Sequence, residues 1–214
     1  MSDRKPENQD NPSEASQNDA INPGRRKLAG AALGAGAVFT LASRPVWANQ
    51  CSISGMASGN LSQTGPEATC EGCTPGYWMQ CQHLDSWAPT GFKPDDEFNT
   101  VFGVTQYINP KNNKPFTLLE VMGLQGNSSM NDDKNPPNCT AKPNGKAIGN
   151  MGRDPVSPNL GFHAVAALLN SAHPNVNYGY TPGELIDLCR SNMHNGPALK
   201  DSLAMLNERG CPLN

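Results

Sequence analysis

The chain has 214 residues, of which 36% are hydrophobic, with 21 glycines, 19 prolines, seven cysteines and a formal net charge of −3. Apolar content this low, with so many turn-forming residues, points to one domain with a small core and much loop. The weakly acidic balance excludes electrostatic attraction to nucleic acid or anionic lipid.

Met1 to Pro23 is polar and lacks apolar periodicity, the pattern of a disordered leader. Gly24-Arg25-Arg26-Lys27 then opens a weakly apolar run, Leu28 to Leu41, closed by Ser43-Arg44-Pro45-Val46-Trp47-Ala48. Basic, apolar, then small residues is the plan of an export signal, with cleavage expected after Ala48. The run is too short and too rich in Gly and Ala to span a bilayer stably. The pair Arg25-Arg26, the modest hydrophobicity and the late Arg44 resemble a bacterial twin-arginine signal. Gly24 stands where that pattern usually has Ser or Thr. The expected division is a leader and signal at 1–48 and a single disulfide-rich mature domain at 49–214. Its implied partner is an export translocase. The destination is exported: periplasmic, cell-surface or extracellular. Cleavage removes six basic and five acidic residues and leaves a mature net charge of −4.

All seven cysteines, Cys51, Cys70, Cys73, Cys81, Cys139, Cys189 and Cys211, lie in the mature part. In an oxidising compartment six are expected to pair and one to remain. The odd one implies a free thiol, a bridge between two copies of the chain, or a metal ligand. Cys51 and Cys211 stand near the two ends, where bridges would tie down segments that otherwise fray. Spacing does not fix which pairs form. Twin-arginine export carries folded chains, so bridges made afterwards would lock a fold that already exists.

Asn49 to Thr69 is Ser- and Gly-rich and reads as an extended leader or a short edge strand. The scarce residue types gather next, between Cys70 and Trp87. Thr74-Pro75-Gly76 predicts a turn that presents Tyr77 and Trp78 on a bend, with Pro75-Gly76 breaking any helix. Cys70-x-x-Cys73 lacks the following His of a haem attachment site, because Thr74 stands there. It also lacks the following helix of a thioredoxin-like pair. Cys81 and His83 complete a tight zinc ligand set with Cys70 and Cys73, against which structural disulfides are the plainer expectation and no cofactor is required. Tyr77, Trp78 and Trp87 are expected as core aromatics covering the bridges rather than as a ligand platform.

Thr74-Pro75-Gly76-Tyr77-Trp78, followed by His83 and Trp87, resembles an uncharacterised group of secreted bacterial proteins with a Thr-Pro-Gly-Tyr-Trp-Lys-Asn-His motif. Leu160 to Asn170 and the tail Leu206-Asn-Glu-Arg-Gly-Cys211-Pro-Leu extend the resemblance in patches. Here Met79-Gln80-Cys81-Gln82 replaces the Lys-Asn step, so His83 falls two residues later than the motif's His. The resemblance implies secretion and carries no biochemical role.

Further on, the pattern predicts a mainly α domain with long irregular loops, small and disulfide-stabilised. Pro94-Asp95-Asp96-Glu97-Phe98 suits a helical first turn. Pro115 to Gly123 suits a short helix with Phe116, Leu119 and Met122 on one face. Gly126 to Asn159 is a loop pinned by Cys139. Within it Asn127, Asn131, Asp132 and Asp133 are irregularly spaced calcium candidates, and Asn127 and Asn138 begin formal glycosylation acceptors. Leu160 to Ser171 is the strongest core helix. His163 is expected to be hydrogen-bonded on it, and His173, ten residues away, lies too far along a straight helix to share a metal. Thr181-Pro182-Gly183-Glu184 is a capping box. Leu199, Leu203 and Leu206 mark an amphipathic helix that Gly210 ends, with Cys211 placed to clamp it to an earlier element.

The sequence contains no Gly-x-Ser-x-Gly, His-Glu-x-x-His or phosphate-loop motif. Cys81 and His83 are two apart and share a face only on an extended segment. Two functions fit these residues: a secreted structural or binding module, or a metal-dependent or redox enzyme using Cys70, Cys73, Cys81 and His83. The balance favours the non-enzyme.

Overall fold

The computed structural model describes residues 51–53, 69–124, 139–140 and 143–214. The signal residues Arg25, Arg26 and Ala48 lie outside them, as do the calcium candidates Asn127, Asn131, Asp132 and Asp133 and the acceptor Asn138. The described residues are helix-rich. In chain order they form α1 (Pro75–Trp78), a 3₁₀ helix (Cys81–Thr90), α2 (Phe98–Phe102), β1 (Ile108–Asn109), β2 (Lys114–Pro115), α3 (Leu118–Met122), α4 (Leu160–Ala172), α5 (Pro182–Asn192), a 3₁₀ turn (Met193–Asn195) and α6 (Gly196–Asn207).

Helix α4 is the axis of the fold. Its small and branched apolar residues leave little polar surface, so it is enclosed by α6, α5, α3 and α1. Leu160, Val165, Ala166, Leu168 and Leu169 are fully buried. Each such Leu or Val side chain contributes roughly 1.5–3 kcal/mol by leaving water. Three alanines, Ala164, Ala166 and Ala167, let neighbouring helices approach closely. The expected range of this helix differs from the observed one by a single residue at its end.

The flanking helices follow their caps. Thr181 accepts the backbone N–H of Glu184, whose carboxylate returns to the Thr181 N–H, with Pro182 at the first helical position. Helix α6 buries Leu199, Leu203 and Leu206 along one stripe. Helix α3 begins later than Pro115 suggests. Thr117 and Glu120 form a second capping box, while Pro115 pairs with Ile108 in the hairpin. The buried face of α3 is therefore Leu118, Val121 and Met122, and Leu119 is only partly covered.

The segment Pro94 to Glu97 is a turn, not a first helical turn. Asp96 accepts the Lys93 N–H at 2.8 Å, and the helix starts at Phe98. An Asp side chain that closes its own turn competes with helix initiation. Beyond it Phe98 stacks on Phe102 at 4.3 Å between ring centroids and meets Tyr107 at a tilt at 4.2 Å. The two-residue hairpin strands, with Asn113 at φ 55° in the bend, were not expected from the sequence. Asparagine tolerates that left-handed conformation better than most residues.

Three disulfides tie the described chain together: Cys51–Cys70, Cys73–Cys211 and Cys81–Cys139. Persistent bridges of this kind belong to an oxidising environment. Among the described residues no helix is long and apolar enough to cross a membrane.

Candidate functional site

The segment from Cys70 to Thr90 packs as a knot against one flank of α4. Pro75 does not break a helix here; it starts one, because its fixed φ and missing N–H suit the first helical position. That short turn sends Trp78 inward to full burial and buries Tyr77 nearly as deeply, at 7% exposure. The indole N–H of Trp87 donates to the Trp78 carbonyl at 3.0 Å, so both tryptophans are core residues with satisfied N–H groups. Tyr77 meets Trp78 edge-on at 5.2 Å and stacks on the imidazole of His83 at 3.9 Å. Its hydroxyl pairs with Ser86 Oγ at 2.9 Å. His83 also pairs with Gln82 through Nε2 at 3.1 Å.

The proposed zinc ligand set does not assemble. Cys70, Cys73 and Cys81 each spend their sulfur in a different disulfide, and His83 lies against Tyr77. A sulfur in a disulfide is not a thiolate and offers a metal no charge. Among the described residues no group of three or more His, Cys, Asp or Glu side chains is placed to hold a metal ion. The same bonding removes Cys81 as a nucleophile for His83.

The seventh cysteine is Cys189, on α5 and fully buried. Burial pushes its thiol up to about 12, so it stays protonated near neutrality. A bridge between two chains at this position requires opening the core.

Sequence patterns missed the centre of this region, the side chain of Asn170. It is fully buried on α4 yet fully satisfied. Its Oδ1 accepts the Cys73 N–H at 2.9 Å and the Trp78 Nε1–H at 3.1 Å. Its Nδ2 donates to the Cys73 carbonyl at 2.8 Å and to Asn207 Oδ1 at 3.0 Å. Asn207, buried on α6, also accepts the Tyr178 hydroxyl at 2.8 Å and donates to the His163 carbonyl at 3.0 Å. One signal was available: Asn207 lies four residues after Leu203, on the buried stripe of α6.

A second buried cluster lies at the other end of α4. Asp154 Oδ2 accepts the Gly161 N–H at 2.7 Å, and Oδ1 accepts the N–H groups of Val156 and Ser157 at 3.0 and 3.2 Å. The Tyr107 hydroxyl donates to the same carboxylate at 3.2 Å. Burial raises the carboxyl above its usual value of 3.8, and the hydrogen bonds oppose that shift. Burial and the neighbouring carboxylate push the Tyr107 phenol upward. Gly161 is required by packing, since a Cβ there would lie 2.9 Å from Tyr107 Cε1. Asp154 thus takes up backbone N–H groups at the start of α4, while Asn159, at the N-cap, makes no side-chain capping bond.

Of the histidines on and just past α4, His163 departs from the expected hydrogen bonding. His163 is half-buried and its Nδ1 has no hydrogen-bond partner. Burial, helped by Lys200, lowers it to about 4, with Asp201 opposing. His173 is buried beside Trp78 and accepts the Asn175 N–H through Nδ1 at 3.2 Å. Burial lowers it as well.

Outside the core, an open groove of about 530 Å³ runs between Thr69–Glu71 and Arg209–Pro212. Two of its lining residues, Cys70 and Cys211, belong to different disulfides. Arg209 is half-buried, and its Nη1 donates to the Cys51 carbonyl at 2.5 Å. Glu71 accepts the Asn177 N–H at 2.8 Å. Both charged side chains of the groove therefore hold backbone in place.

No protein-family model, no curated protein and no solved structure matches this chain.

Proposed function

We propose that this chain is an exported, disulfide-stapled module with a structural or binding role at the cell surface or beyond it. The twin-arginine-like leader is removed after Ala48, and the mature part works in the periplasm or outside the cell. It belongs with the secreted bacterial proteins that carry the Thr-Pro-Gly-Tyr-Trp motif. Its long irregular connections are tolerated because covalent ties replace part of a larger core.

One observation carries this function: six cysteines close three bridges that fasten both ends of the described chain, and the seventh is sealed away with its proton held. Thiol catalysis needs an accessible thiolate. For binding, the groove beside Arg209 and Glu71 is the favoured surface, its lining including two disulfide-bonded cysteines, Cys70 and Cys211.

The test is mass spectrometry on protein isolated from its producing cells without reductant. The expected mass begins at Asn49. A maleimide should add nothing to the native protein and label one thiol after denaturation. Several labelled thiols, stoichiometric metal, or a retained Met1–Ala48 segment would refute the proposal.

A further inference from the structure

The bridge between Cys73 and Cys211 closes a sequence separation of 138 residues, although Cys70 lies only three residues from Cys73. On loop length alone, an unfolded chain brings Cys70 to Cys73 roughly 300 times more often than Cys211. Chain proximity therefore does not choose the partner.

The contacts around Cys73 do. The Asn170 amide grips both the N–H and the carbonyl of Cys73, at 2.9 and 2.8 Å. One residue earlier, the Gly72 N–H donates to the Gly210 carbonyl at 3.0 Å, one residue before Cys211. Gly72 is needed for this approach, because a Cβ there would run into the Leu206 carbonyl at the end of α6. Further upstream, the Glu71 N–H donates to the Asn177 carbonyl at 3.0 Å, and Asn177 Nδ2 donates to the Thr69 carbonyl at 2.8 Å. None of these bonds involves sulfur.

We propose that the folded chain templates this disulfide: Asn170 and the Gly72–Gly210 pairing hold Cys73 opposite Cys211 before the sulfur–sulfur bond exists. Asn170 is a positioning residue for oxidation. The step itself is ordinary exchange. The Cys73 and Cys211 thiols give up two protons and two electrons to a disulfide oxidant, which leaves as two thiols. This rests on the proposed export by a twin-arginine-like leader: a route that carries folded chains leaves oxidation until after export, which is the setting in which such a template is needed.

The experiment uses the full-length chain, reduced and then oxidised with glutathione disulfide, quenched by alkylation and mapped by peptide mass spectrometry. The Cys73→Ser/Cys211→Ser double variant, kept cold, should retain helical circular dichroism and a cooperative melt, and still form Cys51–Cys70 and Cys81–Cys139. Asn170→Leu should form Cys73–Cys211 at least tenfold more slowly, with Cys70–Cys73 accumulating in its place. Cys81–Cys139 should be unchanged, which reports that the fold persists. Wild-type speed and yield of Cys73–Cys211 in Asn170→Leu overturns the proposal, and so does an unfolded double variant. If Asn170→Leu also loses Cys81–Cys139, the double variant alone decides. A chain found reduced in the cytosol would refute export and leave this in vitro result standing.

Discussion

Helix α4 carries a buried polar hub at each end, and the two are built on opposite principles. Asn170, near its C-terminal end, is neutral, uses all of its donors and acceptors, and sits against a disulfide. Asp154 reaches the N-terminal end at Gly161, roughly 14 Å away along the helix axis. It is ionisable and has no covalent support beside it among the described residues. The neutral hub ties long-range elements together at no cost in charge burial. The ionisable hub binds a helix terminus, and because burial works against its charged form it makes stability depend on pH. The neutral hub itself should therefore respond to reductant and the ionisable one to acid and base.

The largest effect should come from cutting the covalent support of the neutral end. Cys73→Ser/Cys211→Ser is expected to lose about 3–5 kcal/mol, read from chemical denaturation, because the loop it closes is the longest of the three. A loss comparable to that from removing the 19-residue Cys51–Cys70 link would mean that loop length is not what matters here. Next, Trp78→Ala should cost about 3–5 kcal/mol through the cavity it leaves and the indole bond to Asn170 it removes. A variant that melts like wild type would show that the aromatic knot is not core.

At the ionisable end the effects are smaller and carry a sign. The Asp154 carboxyl is raised in the folded state, so its contribution is complete below the usual value of 3.8 and is lost as pH climbs through the raised value. Asp154→Asn should abolish that fall while costing about 1–3 kcal/mol, because the amide nitrogen cannot accept the N–H and O–H groups that point at both carboxyl oxygens. Thermal melts across pH check both parts. His163 runs the other way. Its value is lowered from 6.5 to about 4, so its contribution is present above 6.5 and is lost as pH falls toward 4. His163→Phe should flatten that limb, with an effect of about 1–2 kcal/mol once partial solvent contact is allowed for.

The helices were legible where hydrophobic period and cap agreed. Leu160–Ala172, the Thr181–Glu184 box and the Leu199–Leu203–Leu206 stripe all declared themselves in the sequence. Local signals that pointed two ways were misread. Pro75-Gly76 signals both a bend and a helix start, and only packing of Trp78 against α4 selects the second. Pro115 likewise suits a helix start, and the hairpin pairing with Ile108 assigns it elsewhere. The candidate site was legible only as a cluster of rare residues. Which sulfur meets which is decided by contacts across as many as 138 residues, and spacing holds no record of them. Asn170 and Asp154 were invisible for a related reason: a polar residue is assigned to solvent by default, and only its partners reveal that it is enclosed.

Two of the disulfides share a short stretch of backbone, and this alters how the molecule transmits tension. From Cys51 the covalent path crosses to Cys70, runs through Glu71 and Gly72 to Cys73, and crosses again to Cys211. Everything from 74 to 210 hangs off that path as a closed side loop. Pulled by its two ends, the oxidised domain passes the load through four residues, and α4 and its neighbours feel almost none of it. In a force-extension trace it should lengthen hardly at all until reductant is added, and then unravel.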